Sequence, residues 1–160
     1  ENLRKHLKDG RMDITRQQKM QISHCNDLIK IGYIVQLNIK QQPIKTLEGL
    51  QQLAFLQNFS AVGCQLTDIS ALQHCQKIQS ADLKFNQIKI IPKLPPSLQI
   101  LFLQKNDLQD FENIKNVTNS NLFQVKIDEN PVCKLENFER EFFKMLPAQV
   151  VDFSPIKTDL

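Results

Sequence analysis

Along most of the chain, apolar residues recur at fixed offsets that fit neither a continuous helix nor a long strand. One template accommodates them, with apolar residues at positions 1, 4, 6, 11, 14, 17 and 20 and Asn or Cys at position 9. Position 1 falls on Ile34, Leu56, Ile78, Leu98 and Leu122, at steps of 22, 22, 20 and 24 residues. The first register holds Leu37, Ile39, Ile44, Leu47, Leu50 and Leu53, with Gln42 in the Asn slot. The second holds Phe59, Ala61, Cys64, Leu66, Ile69, Leu72 and Cys75, and the third Ala81, Leu83, Asn86, Ile88, Ile91 and Leu94. Leu101, Leu103, Asn106, Leu108, Phe111 and Ile114 fill the fourth, and Val125, Ile127, Asn130, Val132 and Leu135 the fifth.

Positions 4 and 6 alternate as on a short strand with one buried face. Such a strand is too short to stand alone, so it stacks on the next repeat in a parallel ladder. A buried Asn at position 9 donates and accepts where the bending chain leaves backbone groups unpaired. Three-residue spacing on the return leg predicts short helical or 3₁₀ segments beneath the sheet.

These positions resemble the leucine-rich-repeat family over about residues 22–153, specifically its 22-residue class typified by the regulator of protein phosphatase 1. The resemblance implies an α/β solenoid with a concave parallel sheet, short helical or 3₁₀ segments on the convex side and a C-terminal cap helix. Two departures fall on the return legs: the short repeat with Pro92, Pro95 and Pro96, and the long one with the polar stretch 116–121. Residues 1–21 read as a basic cap or tail, 22–134 as about five repeats and 135–160 as the C-terminal cap.

At the C-terminal end, Leu135, Phe138, Phe142, Phe143 and Leu146 fall at helical spacing before Pro147, and Val150, Val151 and Phe153 suit a last strand. This end is similar to the cap of intracellular repeat proteins, which implies an intracellular, eukaryotic setting: cytoplasm, nucleus or cilium. Upstream, Ile31, Leu28, Cys25 and Ile22 keep the three-residue beat, and Met12 and Ile14 suit a capping strand. Residues 1–8 read as a short basic helix or a tail.

Charge adds one feature. The net +3 lies entirely in residues 1–19, where Arg4, Lys5, Lys8, Arg11, Arg16 and Lys19 face Glu1, Asp9 and Asp13; the rest of the chain balances. The body is therefore no basic nucleic-acid platform. No apolar run is long enough to span a membrane. Cys25, Cys64, Cys75 and Cys133 lack any C-x-x-C spacing, which favours a reducing compartment. The acceptor patterns at Asn58 and Asn116 are read as chance matches.

Catalytic chemistry has little to stand on. His24-Cys25 and His74-Cys75 fill different phases of different repeats, so neither a nucleophile pair nor a metal site is expected, and no cofactor is implied. The expected activity is non-catalytic binding of a protein partner on the concave face, as an adaptor or regulatory subunit. Its candidate residues are Asn38, Lys40, Asp82, Lys84, Phe85, Ile100, Phe102, Gln104, Lys105, Lys126 and Asp128. Phe102 is the most informative, because it points outward between buried Leu101 and Leu103. Phe102 beside Phe85 reads as an apolar anchor, or else as a ring folded on a neighbouring Lys stem or against the N-terminal segment. The second repeat, with Asn58, Ser60, Val62 and Gly63, reads as bland. The alternatives are an RNA-associated subunit that binds through the basic N-terminal segment, and a structural component of a ciliary or cytoskeletal assembly.

Overall fold

The computed structural model describes residues 7–15, 24–118, 120–148, 150 and 152–153. Eight short strands lie in chain order in one sheet: β1 (Leu7–Lys8), β2 (Arg11–Thr15), β3 (Gln36–Lys40), β4 (Asn58–Ser60), β5 (Ser80–Asp82), β6 (Ile100–Phe102), β7 (Gln124–Lys126) and β8 (Asp152–Phe153). Only β1 and β2 are antiparallel; every later pair is parallel.

The register follows the apolar rows. Leu37 pairs with Phe59, Phe59 with Ala81, Ala81 with Leu101, and Leu101 with Val125. Met12 extends this row at one end and Phe153 at the other. The large Phe59 side chain is matched by the small Ala81 beside it, and both are buried. Template positions 1, 4, 6 and 11 are buried in every repeat, in one continuous core.

The Asn slot works as the polar rows require. Asn86 Nδ2 donates to the carbonyls of Ala61 (2.8 Å) and Leu83 (2.9 Å), while its Oδ1 accepts from the amides of Cys64 and Leu66. Asn106 spans Leu83 and Leu103 in the same way and accepts from Ile88 N. Asn130 spans Leu103 and Ile127 and accepts from Leu108 N. In the second repeat the Cys64 thiol donates to Ile39 O at 3.1 Å, replacing the donor half of the asparagine. A thiol cannot reach back to accept, and Ile44 N turns instead to the adjacent Gln42 carbonyl.

The return legs hold 3₁₀ segments at Cys25–Ile31, Leu50–Gln52 and Ser70–His74, then α1 (Phe111–Ile114) running into Lys115–Val117, then Pro131–Lys134. The third repeat departs from the expected short helix: its return leg around Pro92, Pro95 and Pro96 is irregular with a turn at 96–97, because those residues supply no N–H to a helical turn. The long leg of the fourth repeat packs against it, with Asn116 Nδ2 donating to Ile91 O and Asn121 Nδ2 to Pro96 O.

The ends differ from expectation in two places. Leu7 and Lys8 form a strand paired with β2, where a helix or tail was expected. Met12 and Ile14 are buried on β2, as a capping strand requires. The cap helix α2 runs Phe138–Met145, three residues later than Leu135. Phe138 and Phe142 are buried and stacked at 5.2 Å, with Phe111 stacked beyond Phe138, whereas Leu135 and Phe143 are exposed. The buried stripe follows i, i+4 from Phe138, and Phe143 lies one residue off it. Ile22 and Val151 lie outside the described residues.

Candidate functional site

Because side chains alternate across a strand, the rows not facing the core form a second ordered surface. At template position 3 stand Arg11, Gln36, Asn58, Ser80, Ile100 and Gln124, and at position 5 Asp13, Asn38, Ser60, Asp82, Phe102 and Lys126. Position 7 adds Lys40, Val62, Lys84, Gln104 and Asp128. Neighbours in a row are one strand apart, about 4.8 Å. The ladder continues past the strands, since Ala61 N bonds Asp82 O, Leu83 N bonds Phe102 O and Leu103 N bonds Lys126 O. These positions are therefore held by backbone pairing, not by loop packing.

Phe102 is half-buried on this face. Lys84 places its ammonium 5.6 Å from the Phe102 ring centroid and pairs with Asp82 at 3.3 Å. The ring thus has a lysine over it, and the lysine has its own carboxylate. Ile100 lies beside Phe102 on the same strand face, also half-buried.

Phe85 occupies a different place. Position 8 of every repeat has positive φ: Gln41 56°, Gly63 67°, Phe85 58°, Lys105 55° and Glu129 58°. The chain turns out of the sheet here, and a bulky side chain in this region is unfavourable. Phe85 is nonetheless 52% exposed, with Lys105 4.9 Å over its ring and Lys105 in turn 3.2 Å from Glu129. Phe85 therefore belongs to the edge where strands end, and Phe102 to the sheet face. Lys84 and Lys105 each carry a carboxylate partner.

The second repeat is not featureless. Its small side chains leave a shallow hollow of about 330 Å³, lined by Gln36, Asn38, Asn58, Ser60, Ser80 and Asp82. Ser80 Oγ donates to Asn58 Oδ1 at 2.9 Å across its floor. Asn38 Oδ1 and Gln104 Oε1 on the same face are enclosed and accept no hydrogen bond from the described residues. Side-chain size, summed over three neighbouring strands, was the signal for this hollow, and hydropathy alone does not carry it.

A second cluster was missed by the sequence reading. Tyr33 and Phe55, 58% and 48% exposed, touch with ring centroids 4.8 Å apart, and Lys77 lies 4.8 Å over the Phe55 ring. The signal was present: each residue immediately precedes position 1 of its repeat.

The return-leg groups do not assemble a reactive centre. All four cysteines are buried and lie outside any disulfide. Burial pushes the Cys75 and Cys133 thiols up to about 11 and raises that of Cys64, which opposes nucleophilic use. Among the described residues no three His, Cys, Asp or Glu side chains converge to hold a metal, and no helix is long and apolar enough to cross a membrane. Asn58 and Asn116 have side chains engaged in hydrogen bonds within the fold.

The stacked registers, the buried Asn and Cys ladder and the capping helix define a leucine-rich-repeat solenoid. Comparison with solved structures agrees. An internalin (inlF) from Listeria monocytogenes superposes with a TM-score of 0.67 at 22% identity, covering 87% of this chain and 39% of its own. A structure of the Drosophila melanogaster SNF/U2A' complex superposes with a TM-score of 0.56 at 16% identity, covering 93% of this chain and 74% of that one. No family model and no curated protein matches the sequence.

Proposed function

We propose that this chain is a non-catalytic protein-interaction module whose concave sheet binds a protein partner. The observation that carries the reading is Phe102. It stands half-exposed on an outer strand face, beside Ile100, with charged and amide groups around it. Interface hot spots have this composition: a large anchor ringed by polar groups. The adjoining hollow and the enclosed acceptors of Asn38 and Gln104 supply a recess and unmet hydrogen bonds next to that anchor. Asp82, Lys84, Lys126 and Asp128 form the polar surround, Lys40 extends it, and Phe85 with Lys105 marks its edge. A role as adaptor or regulatory subunit in an intracellular assembly fits this surface.

Phe102→Ala removes the anchor without opening the core, because Leu101 and Leu103 carry the packing. Its thermal transition stays at the wild-type position, while affinity for the captured partner falls about tenfold or more. Wild-type recovery of every partner by Phe102→Ala would place the interface elsewhere.

A further inference from the structure

We propose that the N-terminal end of the solenoid is a self-association surface, on which a second copy of this chain docks across a twofold axis. Lys8, Asp9, Arg11 and Asp13 line one open cleft of about 540 Å³ there. All four are exposed, and none forms an ion pair among the described residues, in contrast to Lys84, Lys105 and Lys115. The β1–β2 register sets Lys8 directly opposite Arg11. Like charges so placed destabilise a strand pair, so the hairpin gains from carboxylates supplied from outside.

Beside the cleft stands the apolar part of the surface. Gly10 turns the hairpin at φ 75°, and its carbonyl accepts from Val35 N at 2.7 Å and from Gln36 N at 3.0 Å. Tyr33 lies over this turn: a side-chain carbon placed on Gly10 would come within 3.2 Å of the tyrosine ring. Tyr33 rests on Phe55, and Lys77 covers part of the Phe55 ring, yet the two rings stay 58% and 48% exposed. The outer flank of Tyr33 is thus a fixed anchor next to the cleft, of a residue type enriched at the centres of interfaces.

Charge complementarity selects the occupant. The cleft holds two cations and two anions, which sum to zero, so neither a polyanion nor a strongly basic partner is drawn to it. Arg11 and Asp13 stand on the same face of β2, opposite Gln36 and Asn38, and are about 7 Å apart along the strand. A twofold axis passing between them sets Arg11 of each copy against Asp13 of the other, because an isologous contact repeats every pairing. An unlike partner would need the inverse pattern on its own surface; a second copy already carries it. The surface lies four strands, about 19 Å, from Phe102, so the concave anchor stays open in the dimer.

The test is sedimentation equilibrium of the whole chain between about 10 and 500 µM, at low and at raised salt. A reversible monomer–dimer equilibrium is expected, weaker at the higher salt. Arg11→Asp and Asp13→Arg are each expected to weaken self-association about tenfold or more. Their equimolar mixture is expected to restore it to the wild-type level, since each swap supplies what the other lacks. Tyr33→Ala is expected to weaken it about tenfold, with the melting temperature unchanged. Phe102→Ala is expected to dimerise as the wild type does, which separates this surface from the concave face. Four results would overturn the proposal: a monomer at every concentration; dimerisation unaltered in folded Arg11→Asp and Tyr33→Ala variants; a mixture of the two charge swaps that stays monomeric; or an unlike protein, and not a second copy, lost on Tyr33→Ala.

Discussion

Asn86, Asn106 and Asn130 do the same job with unequal numbers of dependants. The carbonyl of Leu83 accepts from Asn86 and from Asn106, and that of Leu103 from Asn106 and from Asn130. Losing one asparagine leaves each of these carbonyls a partner. The backbone amides are less protected. Cys64 N and Leu66 N both bond Asn86 Oδ1, whereas Ile88 N alone bonds Asn106 Oδ1. An abandoned buried N–H costs about 1–3 kcal/mol. Asn86→Ala is therefore expected to destabilise most, by about 2–4 kcal/mol, Asn106→Ala by about 1–3, and Cys64→Ala, whose thiol reaches the Ile39 carbonyl at 3.1 Å and that of Val62 at 3.7 Å but holds no amide, by about 1. Chemical denaturation of the three variants checks the order, and equal losses would contradict the partner assignment. The position-9 asparagines were legible in the sequence as a spaced polar residue in an apolar frame. Their inequality was not, because it depends on which amides the preceding repeat presents.

Strand registers were the most readable elements, since period-two burial fixes which residue faces inward: Leu37, Phe59, Ala81, Leu101 and Val125 line up side by side. Return legs were less so. Apolar spacing predicts a packed leg but not its backbone, and the third repeat follows its prolines, not the helical beat. The cap helix begins later than its periodicity implied because Leu135 closes the preceding 3₁₀ segment Pro131–Lys134, and Asn137, with φ 59°, separates it from α2. The 3₁₀ leg Ser70–His74 also carries a pH signature. Cys75 follows it, its thiol donating to Ala71 O, and desolvation raises it to about 11 from about 9. Between those values the unfolded chain releases this proton while the folded one keeps it, so the unfolded state binds fewer protons and stability declines as pH rises. The melting temperature is expected to fall from pH 9 to 11, and less steeply in Cys75→Ala. An identical slope in the variant would show that the thiol is not responsible.

At the scale of the whole molecule, the core rows and the outer rows are two readings of one ladder. The rigid backbone pairing that buries Leu101 and Leu103 also fixes Phe102 between them, so the binding face needs no loop to order it. Phe102 could be found from the sequence because an apolar residue broke the outward polar pattern. The hollow beside it and the Tyr33–Phe55 edge were passed over, because their signals lie in comparing one position across neighbouring repeats and not in the hydropathy of any single repeat. Phe85, grouped with Phe102 by sequence, parts from it because position 8 turns out of the sheet with φ 58°. Photocrosslinking tests the central claim most directly, with a benzophenone amino acid placed at Phe102 on the concave face or at Ile90, exposed on a return leg. The account predicts a discrete partner adduct from position 102 and none from position 90. Adducts from position 90 alone would contradict it.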